Sequence, residues 1–503
     1  MRRVMATATT RVIWAGAMAL FALSTGRNGA AEPSAPLGER SRESRLVAWV
    51  EIGPDGQAIA RAITSRRRCP FIELDNARRR MSLRAHAETV PQRPTVSDPS
   101  ESKPSEFPVT TCEYLISAGT RTASVGEGDE DESGGEKQRS LRLPLPKPDP
   151  QRIVILGDTG CRLKIGDPWQ ACSDVEEWPL QTIAETAARF EPDLVVHVGD
   201  YHYRENRCPP DIGGCQGSPW GYGWDTWDAD VFTPAASLLA AAPWVMVRGN
   251  HEECARAGQG WYRFLDTRPY QFERTCNDPA FDTAANYSDP YAVPIGEDTQ
   301  IILFDSAKVP GSRLNPTDPA FLTYQDELRQ VEELAAARPE ALSIWANHHP
   351  LLAFTPVTGK TVTGGNPALL SVMNATYDAQ YYPPGIGLAL HGHTHMFQTL
   401  NFSTNHPSTF MMGNGGDNIA INPPDPFPSD AHPDADFASA VNVQEIAYTS
   451  TFGFVVADRN GDRGWTFRAY TRRGGLLTTC EFAGGHSASS DSGFLHESSS
   501  RNR

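Results

Sequence analysis

From Pro150 onward the chain repeats one pattern, a short apolar run that closes on a polar turn, and this repetition narrows the folds open to it. The runs are RIVILGD (Arg152–Asp158), DLVVHVGD (Asp193–Asp200), PWVMVRGNH (Pro243–His251), TQIILFDS (Thr299–Ser306), ALSIWANHHP (Ala341–Pro350) and IGLALHGHTH (Ile386–His395). Each has the length and the Val, Ile and Leu content of a buried strand. Between them, WPLQTIAETAARF (Trp178–Phe190) and FLTYQDELRQVEELAAARP (Phe321–Pro339) carry apolar residues at helical spacing. Strand alternating with helix predicts an α/β architecture, a sheet system covered on its faces.

Five of these six strands end in side chains able to hold a metal: Asp158, Asp200, Asn250 with His251, His348 with His349, and His393 with His395. Each is weak evidence alone. A GD dipeptide is usually a strand entering a turn, an Asn at a strand end usually a cap, and a His-His pair as often packed as ligating. GHTH says more, because after a glycine turn both imidazoles can face adjacent centres. Strand carboxyl ends in an α/β sheet share one edge, where such folds place their sites, so the donors converge. Seven of the chain's 13 histidines fall within these stretches.

The rest of the chain is peripheral to that edge. Its 503 residues suit two domains with appendages, and a formal charge of -16 argues against a protein that coats nucleic acid or anionic membrane. Early arginines, an apolar run from Val12 to Leu23 and small residues at Ala30 and Ala31 form the pattern of a cleaved secretory signal over residues 1–31, hence a periplasmic or secreted protein without stable membrane association. A retained anchor is disfavoured because the run falls short of the roughly 20 apolar residues a spanning helix needs. The nine cysteines then suggest disulfides, with Cys161 and Cys172, Cys208 and Cys215, and Cys254 and Cys276 close in sequence, Cys69 and Cys112 able to pair, and Cys480 left over; buried or free thiols are the alternative. Short β-rich runs from Leu46 onward predict a small all-β sandwich-like N-terminal domain over residues 44–145, whose arginines, such as Arg66 to Arg68, read as a solvated face. The acidic, Gly-rich stretch 126–139 is too polar to pack, and the Ser-rich tail 484–503 is expected to be disordered, which leaves 150–483 as the domain that carries the converging donors.

The set GDTG (157–160), GDYHY (199–203), GNHE (249–252), WANH (345–348) and GHTH (392–395) resembles the binuclear metallophosphoesterases of the calcineurin-like superfamily, and within them the purple acid phosphatases, whose motifs run GDxG, GDxxY, GNH, VxxH and GHxH. The resemblance covers roughly Ile153 to His395, with MMGNGGDN (411–418) as its extension, and implies a β-sandwich flanked by helices in αββα layers. In the wider superfamily the first motif is DxH, whose histidine binds the first metal. Here Gly160 leaves that position without a donor, and Tyr203, three residues after Asp200, can supply it. His202 competes, although in an extended segment it would point away from its neighbour.

Carried over residue by residue, the resemblance implies a first metal held by Asp158, Asp200, Tyr203 and His395, and a second held by Asp200 as a bridge with Asn250, His348 and His393. His348 is preferred to His349 because the family's ligand stands two residues before a proline, here Pro350. Trp345 replaces the usual Val of VxxH. Oxygen donors including a phenolate favour Fe(III) at the first site, while the second set suits Zn, Fe or Mn. The implied reaction is hydrolysis of a small phosphomonoester by in-line attack of a metal-bound hydroxide, with His251 serving the leaving oxygen and Glu252 orienting His251. Phosphodiesterase, nucleotidase or pyrophosphatase action on the same centre is the alternative, and an exported binding protein without activity is a more distant one. The histidines that plant members place after VxxH to meet substrate are missing from LLAFTPVTGKTVTGGNPALL (351–370).

Overall fold

The computed structural model describes residues 45–127, 140–358, 360–424, 427–428, 431–434 and 441–495. The expected signal, residues 128–139 of the acidic stretch and residues 496–503 of the tail lie outside them. Two large sheets face one another. One has 11 strands, and its central part places Gly453–Arg459, Arg152–Leu156, Leu194–His197 and Trp244–Met246 side by side; the other has eight, with Thr299–Leu303, Leu342–Ala346, Ile386–His391 and Ser408–Met412 in parallel at its middle.

Alternation along each strand assigns the layers. Ile153 and Ile155 join a core shared with Ile301, Leu303, Ile344 and Leu388 of the facing sheet. Val154 and Leu156 point the other way, onto Leu180 and Ile183 of the helix Leu180–Ala188. Ile302 and Trp345 of the second sheet likewise meet Phe321, Tyr324 and Leu328 of the helix Pro319–Ala336, whose buried residues recur every three or four positions. The helix Pro367–Tyr377 covers the same face, starting at a proline with Asn366 accepting from the backbone of Ala368 and Leu369. These are the expected αββα layers. Among the described residues no helix is long and apolar enough to cross a membrane.

Two expectations differ from the structure. The N-terminal region is all-β but does not stand apart: Leu46–Ile52 is hydrogen-bonded to Trp244–Met246, and Ala58–Thr64, Thr110–Ile116 and Ser82–Ala85 extend the same 11-stranded sheet. A small free sandwich would leave one face of each strand wet, whereas all seven residues of Ala58–Thr64, Arg61 included, are buried. Arginines form much of the join. Arg84 donates to the carbonyls of Tyr262, Arg263, Asp266 and Arg268, and Arg61 to that of Asp266. The tail departs as well. Gly484 and Gly485, with φ of 62° and 90°, form a two-residue turn that only positive φ permits. It returns the chain as His486–Ser489 along Leu476–Ala483, and Gly493–Phe494 then pairs with Val443–Thr449.

The four cysteine pairs Cys69–Cys112, Cys161–Cys172, Cys208–Cys215 and Cys254–Cys276 are all disulfides, and Cys480 is free and buried.

Candidate metal centre

At the carboxyl edge of both sheets the backbone leaves its strands abruptly. Asp158, Asp200 and His393 adopt φ of 55°, 58° and 71°, a left-handed conformation uncommon for such residues and one that gathers at functional sites. The first two loops pair, Asp158 N donating to Gly199 O at 3.0 Å and Thr159 N to Asp200 O at 3.0 Å. Asp230 ties them further, accepting from Cys161 N at 3.1 Å and from Tyr203 N at 2.9 Å. This closeness accounts for Gly160. A Cβ there would lie 2.7 Å from Tyr201 O and 2.8 Å from Tyr203 N, so the loop carrying Tyr203 occupies the space any side chain at 160 would need.

All seven candidate ligands come together. Tyr203 Oη lies 3.0 Å from Asp158 Oδ1, 2.8 Å from Asp200 Oδ2 and 3.1 Å from His395 Nε2. On the other side of Asp200, its Oδ2 is 3.0 Å from His348 Nε2, which is 3.1 Å from Asn250 Oδ1 and 3.3 Å from His393 Nδ1. Asp200 is the one residue common to both groups. Asp200, His348 and His393 offer donor atoms that all lie within 4.8 Å of one another. Of the competing histidines, His202 packs against Tyr222 and Trp227, while His349 lies beside the centre with its ring 4.3 Å from that of His393 but turns Nδ1 to Ser306 Oγ at 3.2 Å. Trp345 is buried, stacked on Phe304 at 4.7 Å.

Outer contacts orient the inner donors. His348 Nδ1 is 2.9 Å from Val198 O and His395 Nδ1 2.7 Å from Asn418 O, which turns each Nε2 inward. The electrostatics call for a cation. Burial pushes the Tyr203 phenol well above its ordinary range and Asp158 and Asp200 add to it, so a phenolate there needs a strong positive charge beside it. Burial opposes charge on His348, yet Asp200 and Asp158 hold it up at about 9. Burial also works to raise Asp200, and His348 and His251 outweigh it, keeping that carboxyl well below its usual value. Carboxylate and phenol oxygens crowded with imidazoles at buried positions match the donor chemistry of a pair of cations.

His251 is buried, its ring 3.8 Å from that of Tyr203 and its Nε2 4.0 Å from Asp200 Oδ2. Its Nδ1 is 2.8 Å from Glu205 Oε1, so the carboxylate beside it is Glu205, not Glu252 as the sequence suggested. Glu252 instead accepts from the backbone N–H of Asp200, Tyr201, His202 and Gly249 and clamps the two metal-facing loops together. Burial and Arg256 push His251 down to about 4. Burial would raise Glu205, but Arg256 and His251 hold its carboxyl below the ordinary range.

Two further groups escaped the sequence reading. Asp417, from MMGNGGDN, is buried with Oδ2 3.6 Å from His395 Nε2, and Arg162 donates from Nε to both its oxygens at 3.1 and 3.0 Å while lying 4.6 Å over the Tyr203 ring. The only signals in sequence were the arginine directly after GDTGC and a second Gly-rich turn after an apolar run.

Residues 151–397 match the sequence model of the calcineurin-like phosphoesterases. A search of curated protein sequences returned no match. Among solved structures the fold is similar to the purple acid phosphatase PPD1 from yellow lupin (Lupinus luteus) seeds, with a TM-score of 0.51 at 14% identity over 87% of this chain and 74% of that one. It is also similar to PhoD, with a TM-score of 0.50 at 9% identity over 89% and 92% of the two chains.

Proposed function

Because residues 151–397 form a calcineurin-like phosphoesterase domain, a metal-dependent phosphoester hydrolase, we propose that this chain is an exported phosphatase acting on phosphomonoesters at a binuclear centre. Asp158, Asp200, Tyr203 and His395 hold one cation, for which Fe(III) is the choice of a phenolate-containing set; Asp200, Asn250, His348 and His393 hold the other, Zn, Fe or Mn. The observation that carries this reading is the convergence of Tyr203 Oη on Asp158, Asp200 and His395 at 2.8 to 3.1 Å, since it joins the GDxG and GDxxY departures into one donor set.

Two bound cations supply Lewis acidity toward a phosphoryl oxygen and an activated water. The chain does the rest. Asp200 faces both donor groups and sets their relative position. Glu205 Oε1, 2.8 Å from Nδ1 of His251, stays a carboxylate and fixes the ring with Nε2 turned toward the site, so that a His251 protonated on both nitrogens gives its Nε2 proton to the departing alkoxide. Glu252 keeps the backbone beneath Asp200 in place.

Initial rates of the metal-loaded protein on p-nitrophenyl phosphate, bis(p-nitrophenyl) phosphate and a nucleotide test this. The monoester should be fastest and chelation should abolish its turnover; a faster diester transfers the reading to a phosphodiesterase, and no turnover at all ends it. Export is supported by the first 31 residues and by four disulfides. Mass spectrometry of the mature protein should find an N-terminus following Ala31, and retention of residues 1–31 would contradict it.

A further inference from the structure

A cleft of about 360 Å³ opens directly from the candidate centre, with His393 and His395 on its floor and Thr355, Thr363, Asn366 and Thr394 among its walls. That volume falls in the range of small-molecule sites. Glycine, proline and alanine complete the lining. Apart from the two imidazoles, no charged or aromatic side chain is among the described residues that form it. Thr355 and Thr394 share a hydrogen bond of 2.9 Å between hydroxyls, each keeping capacity for one more partner. Asn366 Oδ1 is already committed to the backbone of Ala368 and Leu369.

The surroundings reinforce this neutrality. Gly365 N donates to Pro433 O at 3.0 Å, which brings the described segment 431–434 against the cleft wall. The basic residues nearest in sequence do not line the cleft: Lys308 is paired with Glu253, Arg313 neighbours Tyr381, and Lys360 belongs to the exposed end of the Thr355–Thr363 hairpin.

A leaving group carrying a second phosphate would find no cation here beyond those of the centre, in a chain already at -16. A nucleobase would find, among the described lining residues, no ring to stack on other than the two candidate ligand imidazoles. Hydroxyl groups would find threonine hydroxyls. We propose that this cleft receives the departing alcohol and selects a neutral, non-aromatic, hydroxylated one, which makes sugar or polyol monophosphates the substrate class. This rests on the phosphomonoesterase reading above.

The test compares kcat/KM of the metal-loaded full chain for glycerol phosphate, glucose 6-phosphate, adenosine monophosphate and pyrophosphate, with p-nitrophenyl phosphate as the reference ester. The two polyol esters should exceed the nucleotide and pyrophosphate by about tenfold or more. Thr363 is exposed, so charge is tolerated there. Thr363→Lys should raise the pyrophosphate value and narrow the gap, and Thr363→Glu should widen it. If the reference ester is hydrolysed while the nucleotide or pyrophosphate matches the polyol esters, or if neither substitution moves the ratio, the cleft assignment falls and the phosphatase reading stands. If no ester including the reference is hydrolysed, both fall.

Discussion

Gly160 and Tyr203 solve one packing problem together. Because a Cβ at 160 would meet the backbone of Tyr201 at 2.7 Å, a histidine cannot simply be restored there. Tyr203→Phe should lower metal content, and Gly160→His on top of it should leave the content at that level or below; recovery would contradict the steric account. His251→Ala should lose more than about tenfold in kcat, and Glu205→Gln should lose a similar amount with KM nearly unchanged while Glu205→Asp recovers part of it. Equal losses from Gln and Asp would make Glu205 merely structural. The clustering of the candidate ligands was legible because spacing within a motif survives folding: Asp200 and Tyr203 are three residues apart in any conformation. Glu205 was not. Glu252 is the nearer carboxylate in sequence, but its side chain turns onto backbone amides while Glu205 arrives from another loop.

At the scale of elements, the central strands were readable because both of their faces are buried and their apolar runs are unbroken. The N-terminal strands misled for the opposite reason: Arg61 and Arg84 look like solvent-facing residues, yet both are buried and bonded to carbonyls of the loop 262–268. Arg84→Met should therefore cost about 3 kcal/mol or more, because it strips five hydrogen bonds from carbonyls of that loop and removes the nearer of the two arginines paired with Glu113, leaving Arg61 at 3.4 Å. Hydrogen exchange should show the loss first in Ser82–Ala85; unchanged protection there would argue that the region holds without its arginines. The tail was missed because serines give no apolar pattern, while the Gly484–Gly485 turn that pairs them was present in sequence.

For the whole molecule, the buried charges joining these strands to the rest of the sheet make stability depend on pH. Burial pushes the Glu51 carboxyl up from 4.5 to about 7, although Arg61 lies 3.4 Å away. A carboxyl raised on folding binds its proton more tightly in the folded state, so its contribution is fullest below pH 4.5 and is lost as pH rises toward 7, by at most about 3 kcal/mol. The melting temperature of the wild type should fall more between pH 5 and 8 than that of Glu51→Gln; parallel curves would contradict the assignment. The layered architecture itself follows from the alternation of strand and helix, and it is this architecture that delivers donors from distant parts of the chain to one edge.

The most direct test of that delivery is the metal content of the purified chain beside its Asp200→Asn variant, taken together with the visible spectrum. The account predicts two metal ions per chain, a phenolate-to-iron band that disappears in Tyr203→Phe, and loss of metal from both positions when Asp200 is replaced. One ion or none in the wild type, or an Asp200→Asn protein that keeps both, would contradict it.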